Sequence, residues 1–317
     1  MLITILFHTE VIYIGETSVF IDLVFFNTSM VFFFFVSGYL TNIESFNLKK
    51  TLKSIFRRLL IPYFIFTTII YIPKQLIHGW DFDICKMFVD IFGGIANWFV
   101  PTLIVSKLLL CLFLKFTQRI TIIGVFSLIF LVLGYFLTQY FQSPLFWNID
   151  YALISMFYLF LGVLYRKYED KISFNKIWQA IIFTALYFLL AFYDYKIEFS
   201  SYVYTLKTGG IEIIEVVAYL FISVIGILMI TSLLKLIPSG IKWFSYIGVN
   251  SLTYYYLNTG LLLVLTTIMK KIGLTETYPW FSLPLFLIVV VVVTFASEII
   301  LRFAPWMVGN SKKNTDK

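Results

Sequence analysis

Charged residues are scarce in this 317-residue chain, and their scarcity excludes a soluble globular protein. They make up 13% of the sequence, whereas about 25% is usual in soluble domains. Hydrophobic residues reach 60%, and the mean hydropathy is +0.92, so polar groups are too few to cover the surface of a water-soluble fold. The same apolar and aromatic content excludes intrinsic disorder. The composition indicates a polytopic membrane protein.

Cysteine and histidine are also rare, which limits the kinds of site that the chain can carry. The two cysteines, Cys85 and Cys111, make no disulfide framework and show no metal-ligand spacing. The only histidines are His8 and His78. We therefore expect neither a bound metal nor a cysteine-based scaffold.

Long apolar stretches predict an all-α fold of about ten transmembrane helices, because a spanning helix needs about 20 mostly apolar residues. The segment 83–97 is apolar but interrupted, and we expect it to lie along the membrane interface. Residues 1–310 are predicted to form one domain, followed by a polar cytoplasmic tail, 311–317. The ten predicted spans are 1–14, 23–41, 59–77, 98–116, 120–138, 151–166, 177–195, 212–237, 247–269 and 281–303.

The positions of lysine and arginine predict the orientation. With the amino terminus inside, 17 of the 24 basic residues lie on the cytoplasmic side and only six outside. Both termini are therefore predicted to be cytoplasmic, in the plasma or inner membrane of the cell. This bias also accounts for the net charge of +7 without any nucleic-acid partner.

Ionisable residues inside spans are costly and are often functional. His8 lies in the first span, where its unperturbed pKa of about 6.5 suits proton transfer near neutral pH; the alternative is a histidine that only packs between helices. Lys107 lies near the centre of the fourth span and is too deep to reach water easily. It either faces the bundle interior or pairs with Glu298 of the last span. Glu212 and Glu215 mark the outer start of the eighth span, either at an entrance or simply at the interface.

The densest basic stretch precedes the third span. It either anchors the span to anionic lipid head groups or lets Arg57 and Arg58 hold the phosphates of a cytoplasmic ligand, for which guanidinium groups are well suited.

Several stretches, taken together and in order, resemble the acyltransferase 3 family of integral-membrane acyltransferases, with the fucose 4-O-acetylase and polysaccharide O-acetyltransferase branch most similar. They run the length of the chain: ILFH (5–8), FFFFVSGYL (32–40), KSIFRRLLIPYFIF (53–66), NWFVPTL (97–103), YIGVNSLTYYYLN (246–258) and RFAPWMVGN (302–310).

The resemblance implies a ten-helix core and transfer of an acetyl or other acyl group from cytoplasmic acetyl-CoA to a sugar hydroxyl of a surface or lipid-linked glycan. It makes His8 the catalytic base or acyl relay, and it makes Arg57 and Arg58 the residues that hold the coenzyme. Lys107, Asn97 or Ser37 could stabilise an oxyanion, although Ser37-Gly38 is better explained by close helix packing. Asn258 and Glu298 complete the set of polar candidates.

Two features depart from the family pattern. The family carries an arginine eleven residues before its first-span histidine, a position that would precede Met1, and Asn258 stands where this branch often has a histidine. An asparagine can form hydrogen bonds but cannot accept a catalytic proton. These departures keep a second hypothesis open, namely a non-catalytic relative that exports or assembles a cell-surface polysaccharide.

Overall fold

The computed structural model describes residues 1–24, 28–77, 83–141, 143–172, 174–197, 213–238, 241–273 and 279–309. All regular secondary structure in these ranges is helical, which confirms the predicted all-α fold. His78, Glu212 and the tail 311–317 lie outside the described residues, as does the side chain of Glu215. The α-helices are α1 (Leu2–Thr9), α2 (Val19–Val24), α3 (Met30–Tyr39), α4 (Leu48–Ile55), α5 (Ile61–Ile77), α6 (Ile84–Phe92), α7 (Phe99–Phe116), α8 (Ile120–Tyr140), α9 (Ile149–Tyr168), α10 (Ile177–Ile197), α11 (Ile213–Leu236), α12 (Lys242–Val249), α13 (Ser251–Lys271) and α14 (Ser282–Phe303).

Each predicted span coincides with an apolar helical segment. Within the described residues, seven helices are long and apolar enough to cross a bilayer, and three apolar helices are shorter. The shorter ones are Leu2–Ile14, Met30–Tyr39 and Ile177–Tyr193. The chain is thus a multi-pass integral membrane protein, and the prediction of about ten helices is confirmed.

The chain divides into two compact units, each assembled from separate stretches of sequence. The first unit comprises Met1–Asp22, Lys53–Asn97 and Gly240–Lys317. Here α1 packs on α13 and α14, around a core that includes Ile5, Leu262 and Val289, all fully or almost fully buried.

Helix α13 is the hub of the first unit because its consecutive tyrosines contact different neighbours. The Tyr254 and Thr294 hydroxyls are 2.7 Å apart, which ties α13 to α14. The ring of Tyr256 stacks on Phe66 of α5, with 5.0 Å between centroids. Successive helical residues point about 100° apart, so one short run of tyrosines can join several helices.

The second unit, Leu23–Leu52 and Trp98–Ser239, is built around α9, which packs against α3, α7 and α8. Glycines allow the closest approach. A Cβ atom added to Gly38 would lie 1.9 Å from the carbonyl oxygen of Leu159, and one added to Gly162 would lie 1.9 Å from that of Phe35. Small residues of this kind let membrane helices pack backbone to backbone, as the Ser37-Gly38 pair predicts.

One end of the second unit carries an interhelical polar cluster. Glu169 accepts a hydrogen bond from Tyr39 (2.7 Å) and forms a salt bridge with Lys235, while Arg166 donates to the carbonyl oxygen of Tyr39. Partial burial favours a raised pKa for Glu169, but the bonds from Lys235 and Tyr39 and the charges of Lys235 and Arg166 outweigh it, so the pKa lies below its ordinary value. The cluster links α3, α9 and α11.

Candidate active site

His8 lies at the last turn of α1, and the helix changes form immediately after it. The half-buried imidazole ring is 5.3 Å from the ring of Phe7, in an edge-on arrangement. Residues Glu10–Ile14 then form a π-helical turn. Such turns are rare and often occur at functional sites.

Glu10 closes this turn. It is 93% buried (7% exposed), and its carboxylate accepts hydrogen bonds from the backbone nitrogen and hydroxyl of Ser18, at 2.7 and 3.2 Å. A buried carboxylate needs such partners. Glu10 therefore has a structural role, because it bonds to the residue that precedes α2.

Arg57 and Arg58 lie on a second π-helical turn, Phe56–Leu60, between α4 and α5. Both side chains are exposed, so their guanidinium groups are accessible to a ligand. The backbone behind them packs against the end of the chain. An added Cβ at Gly309 would lie 2.3 Å from the carbonyl oxygen of Arg57. Two of the sequence stretches that resemble the family, RRLLIPY and RFAPWMVGN, thus meet.

Asn97 and Asn258 have different roles. The Tyr255 hydroxyl donates to Asn97 Oδ1 at 3.0 Å. Asn258 is 1% exposed, and its Nδ2 donates to the carbonyl oxygens of Tyr254 (3.0 Å) and Tyr255 (2.7 Å). Asn258 thus bonds to the backbone of its own helix, at the turn that bears the tyrosines. Asn97 is bound through its side-chain oxygen, and its amide nitrogen points away from that bond.

Glu298 and Lys107 belong to different units. Glu298 is exposed on α14 of the first unit. Burial of the Tyr246 hydroxyl and the neighbouring Glu298 carboxylate raise the pKa of Tyr246 to about 12. Lys107 is partly buried on α7 of the second unit, one helical turn before Cys111. Ser37 also lies in the second unit. Six candidates lie in the first unit, namely His8, Arg57, Arg58, Asn97, Asn258 and Glu298.

The structure also reveals two acidic residues that sequence analysis missed. Asp90, in α6, accepts a hydrogen bond from the Tyr71 hydroxyl at 2.7 Å, and Asp150, near the start of α9, is fully buried. Both stand in strongly apolar stretches, DICKMFVDIF and WNIDYALIS. An acidic residue in such a stretch is the signal that could have identified them.

Among the residues described, no group of three or more His, Cys, Asp or Glu side chains is placed to hold a metal ion. Comparison with curated proteins yields no match, and comparison with solved structures yields none either. The sequence profile of the acyltransferase 3 family, described as an acyltransferase domain, matches residues 1–302. Because that match covers nearly the whole chain, the protein belongs to the acyltransferase 3 family and is an integral-membrane acyltransferase.

Proposed function

We propose that the protein transfers an acetyl group, or a related acyl group, from cytoplasmic acyl-CoA to a sugar hydroxyl of a surface or lipid-linked glycan. The observation that carries this proposal is the pair of π-helical turns in the first unit, one beginning two residues after His8 and one bearing Arg57 and Arg58. Turns of this kind often occur at functional sites. The resemblance to sugar O-acetyltransferases supports the choice of acceptor.

His8 is the proposed general base. It accepts the proton of the acceptor hydroxyl while that oxygen attacks the acyl carbonyl carbon. The carbon–sulfur bond of the thioester then breaks, and His8 returns the proton to the departing thiolate. The products are the ester and the free thiol, and His8 is neutral again. No proton is gained or lost overall.

Arg57 and Arg58 are proposed to hold the phosphates of the donor. Their exposure fits a large polyanionic ligand that binds from water. One guanidinium group can donate two parallel hydrogen bonds to phosphate oxygens. The excess of basic residues on this side supports a cytoplasmic location for both termini and for the donor. The plasma or inner membrane is the proposed location of the protein.

Asn97 is the proposed oxyanion donor. Since its oxygen is engaged by Tyr255, its amide nitrogen is the end suited to a developing negative charge. No catalytic role is assigned to Lys107, which lies in the second unit. Asn258 is assigned a structural role by its two bonds to the α13 backbone, and Glu298 a structural role beside Tyr246.

The presence of Asn258 at a position where the related branch often has histidine favours one alternative. In that alternative the protein is a non-catalytic relative that exports or assembles a cell-surface polysaccharide. Such a protein would change the amount or chain length of the polymer and leave its acetylation unchanged. Acyl-CoA dependence separates the two functions.

The test measures the O-acetyl content of extractable glycans by proton NMR. It compares wild-type cells, a deletion strain, and the deletion strain complemented with His8→Ala or, as a matched control, His78→Ala, at equal membrane expression. We expect acetate to be lost on deletion and restored by His78→Ala but not by His8→Ala. Full restoration by His8→Ala removes His8 from the mechanism. Unchanged acetate with reduced polymer export supports the alternative.

A further inference from the structure

Helix α6 lies beside the middle turns of α5 and away from the carboxyl-terminal end of α5. The Tyr63 hydroxyl donates to the carbonyl oxygen of Ile91 at 2.7 Å, and the Tyr71 hydroxyl donates to Asp90 Oδ2 at 2.7 Å. Tyr63 and Tyr71 are eight residues apart on α5, which corresponds to about 12 Å along the axis. Because both reach adjacent residues of α6, Asp90 and Ile91 must lie beside the α5 turns between them.

A third contact agrees with this level. The rings of Phe64, in the first turn of α5, and Phe92, the last residue of α6, are 5.2 Å apart. The apolar span that includes α5 ends at Pro73, which is roughly 3 Å beyond Tyr71 and roughly 15 Å beyond Tyr63 at 1.5 Å per residue. The hydrocarbon core is about 30 Å thick, so the end of α6, at the level of Phe64, lies well below that end of the span.

The polarity of α6 changes along its length in the way that a segment entering a membrane requires. Its first turn is capped by Asp83, whose side chain accepts from the backbone nitrogens of Cys85 and Lys86. Beyond Lys86 the exposed side chains are large and apolar, namely Phe88, Val89, Phe92 and Ile95. The charged end is suited to water, and the following apolar face is suited to lipid.

Helix α6 then ends in a tight turn. Gly94 adopts a left-handed conformation, with φ +79°, which glycine tolerates without strain. The backbone nitrogens of Ile95 and Ala96 both bond to the carbonyl oxygen of Asp90, at 2.8 and 3.0 Å. These bonds satisfy polar groups that lipid would leave unsatisfied. Irregular backbone at membrane depth is found where it is enclosed by protein or lines an aqueous cavity.

We propose that residues 83–97 form a re-entrant segment that turns within the membrane and presents Asp90 and Asn97 as a binding site for hydroxyl groups of the sugar acceptor. The acceptor part rests on the proposed function. The Asp90 carboxylate accepts hydrogen bonds from sugar hydroxyls. The Asn97 side-chain oxygen is engaged by Tyr255, but the side-chain nitrogen carries two N–H donors, one for the oxyanion and one for an acceptor hydroxyl. A carboxylate has about four acceptor positions, and Tyr71 uses one of them.

This arrangement differs from the interfacial helix expected from the sequence. A helix lying flat at the surface keeps all its residues at one depth, near the end of the span at Pro73. A re-entrant helix descends, so that residues 85, 88 and 92 lie progressively deeper. The two arrangements can be distinguished without any measurement of catalysis.

The first experiment measures depth by spin labelling and electron paramagnetic resonance, using the ratio of collisions with oxygen and with a water-soluble nickel complex. Nitroxides are placed at Cys85 in a Cys111→Ala background, and at Phe88→Cys or Phe92→Cys in a chain that also lacks Cys85. All three sites are exposed, so the labels extend away from the protein interior; Phe92→Cys removes the ring contact with Phe64, and Phe88→Cys keeps it. We expect depth to increase from 85 to 92 by about 10 Å. Equal depth at the three sites overturns the re-entrant segment.

The second experiment tests the acceptor site by kinetics. Purified protein in lipid nanodiscs receives labelled acetyl-CoA and alkali-deacetylated glycan extracted from the same cells. Asp90→Asn is expected to raise the KM for the glycan by roughly tenfold or more, because a charge-assisted hydrogen bond is lost, with the KM for acetyl-CoA and the thermal midpoint unchanged. An unchanged KM for the glycan overturns the acceptor site.

The two experiments fail separately. If the wild-type protein transfers no acetyl group to any glycan, the proposed function fails, yet the depth profile still decides whether α6 is re-entrant. If transfer occurs and depends on His8, but Asp90→Asn changes only kcat or stability, the proposed function stands and the assignment of Asp90 to the acceptor falls.

Discussion

Replacing Gly309 with alanine should weaken donor binding, because Gly309 holds the closing turn of the chain against the backbone of Arg57 and Arg58. A Cβ atom at this position would lie 2.3 Å from the Arg57 carbonyl oxygen and 2.8 Å from Arg58 Cα. Both are backbone atoms, which cannot move aside as the tip of a flexible side chain can. The φ of +74° adds a second penalty.

The magnitude follows from these two effects. A left-handed conformation costs an alanine about 1–2 kcal/mol, and overpacking costs about 1–3 kcal/mol. Together they amount to roughly 2–5 kcal/mol, enough to detach the turn Pro305–Val308 from the arginine-bearing turn. Since each 1.4 kcal/mol or so is a tenfold change in an equilibrium constant, we expect the Kd for acetyl-CoA to rise by roughly tenfold or more.

The assay is titration of acetyl-CoA into purified protein, followed by calorimetry, beside a thermal melt. Two glycines of the same unit supply matched controls. Gly273 also has a positive φ (+89°) but no heavy atom within 4 Å of an added Cβ, and Gly248 has open space without a positive φ. If Gly309→Ala binds acetyl-CoA as tightly as Gly273→Ala does, the contact with Arg57 does not support the donor site.

Two further predictions concern the second unit. Gly38→Ala should cost about 3 kcal/mol or more of stability, because its Cβ would overlap a carbonyl oxygen of α9 at 1.9 Å. Thermal melting in detergent should show a large drop in the melting point. The control Gly260→Ala has no contact closer than 3.6 Å and should melt like wild type. The lowered pKa of Glu169 means that its bonds stabilise the fold above its ordinary value of 4.5 and that this stability is lost as the pH falls through the lower folded value. As the pH is lowered from neutral, the melting point should therefore fall more steeply for wild type than for Glu169→Gln. Parallel curves of melting point against pH would contradict the role of Glu169.

Hydropathy alone predicted where the helices lie, because every span must be apolar over its length. It did not predict the long-range contact that the second span makes. The Tyr187 hydroxyl donates to the carbonyl oxygen of Leu23 and accepts from Thr28 (2.8 Å). Tyr187 lies 164 and 159 positions along the chain from these two residues, so no local pattern of residues indicates the contact.

The candidate site was predictable residue by residue but not as an arrangement. His8, Arg57 and Arg58 were visible as ionisable groups in or beside spans. One π-helical turn follows His8 and the other bears the two arginines. Both depend on packing, and no residue type in ILFHTEVIYI or SIFRRLLIP specifies a π-helix. The contact of Gly309 with Arg57 joins positions some 250 residues apart in sequence, beyond the reach of any local pattern.

The backbone contact between α3 and α9 also has a consequence for how the protein is made. Gly38 and Gly162 lie about 120 residues apart, so at roughly 5–20 residues per second the ribosome takes roughly 6–25 s to supply the partner that α3 requires. Membrane helices insert first and pack afterwards. During that interval α3, and later α7 and α8, lack the helix against which they finally pack. Insertion of α9 is therefore the step at which the second unit can first assemble.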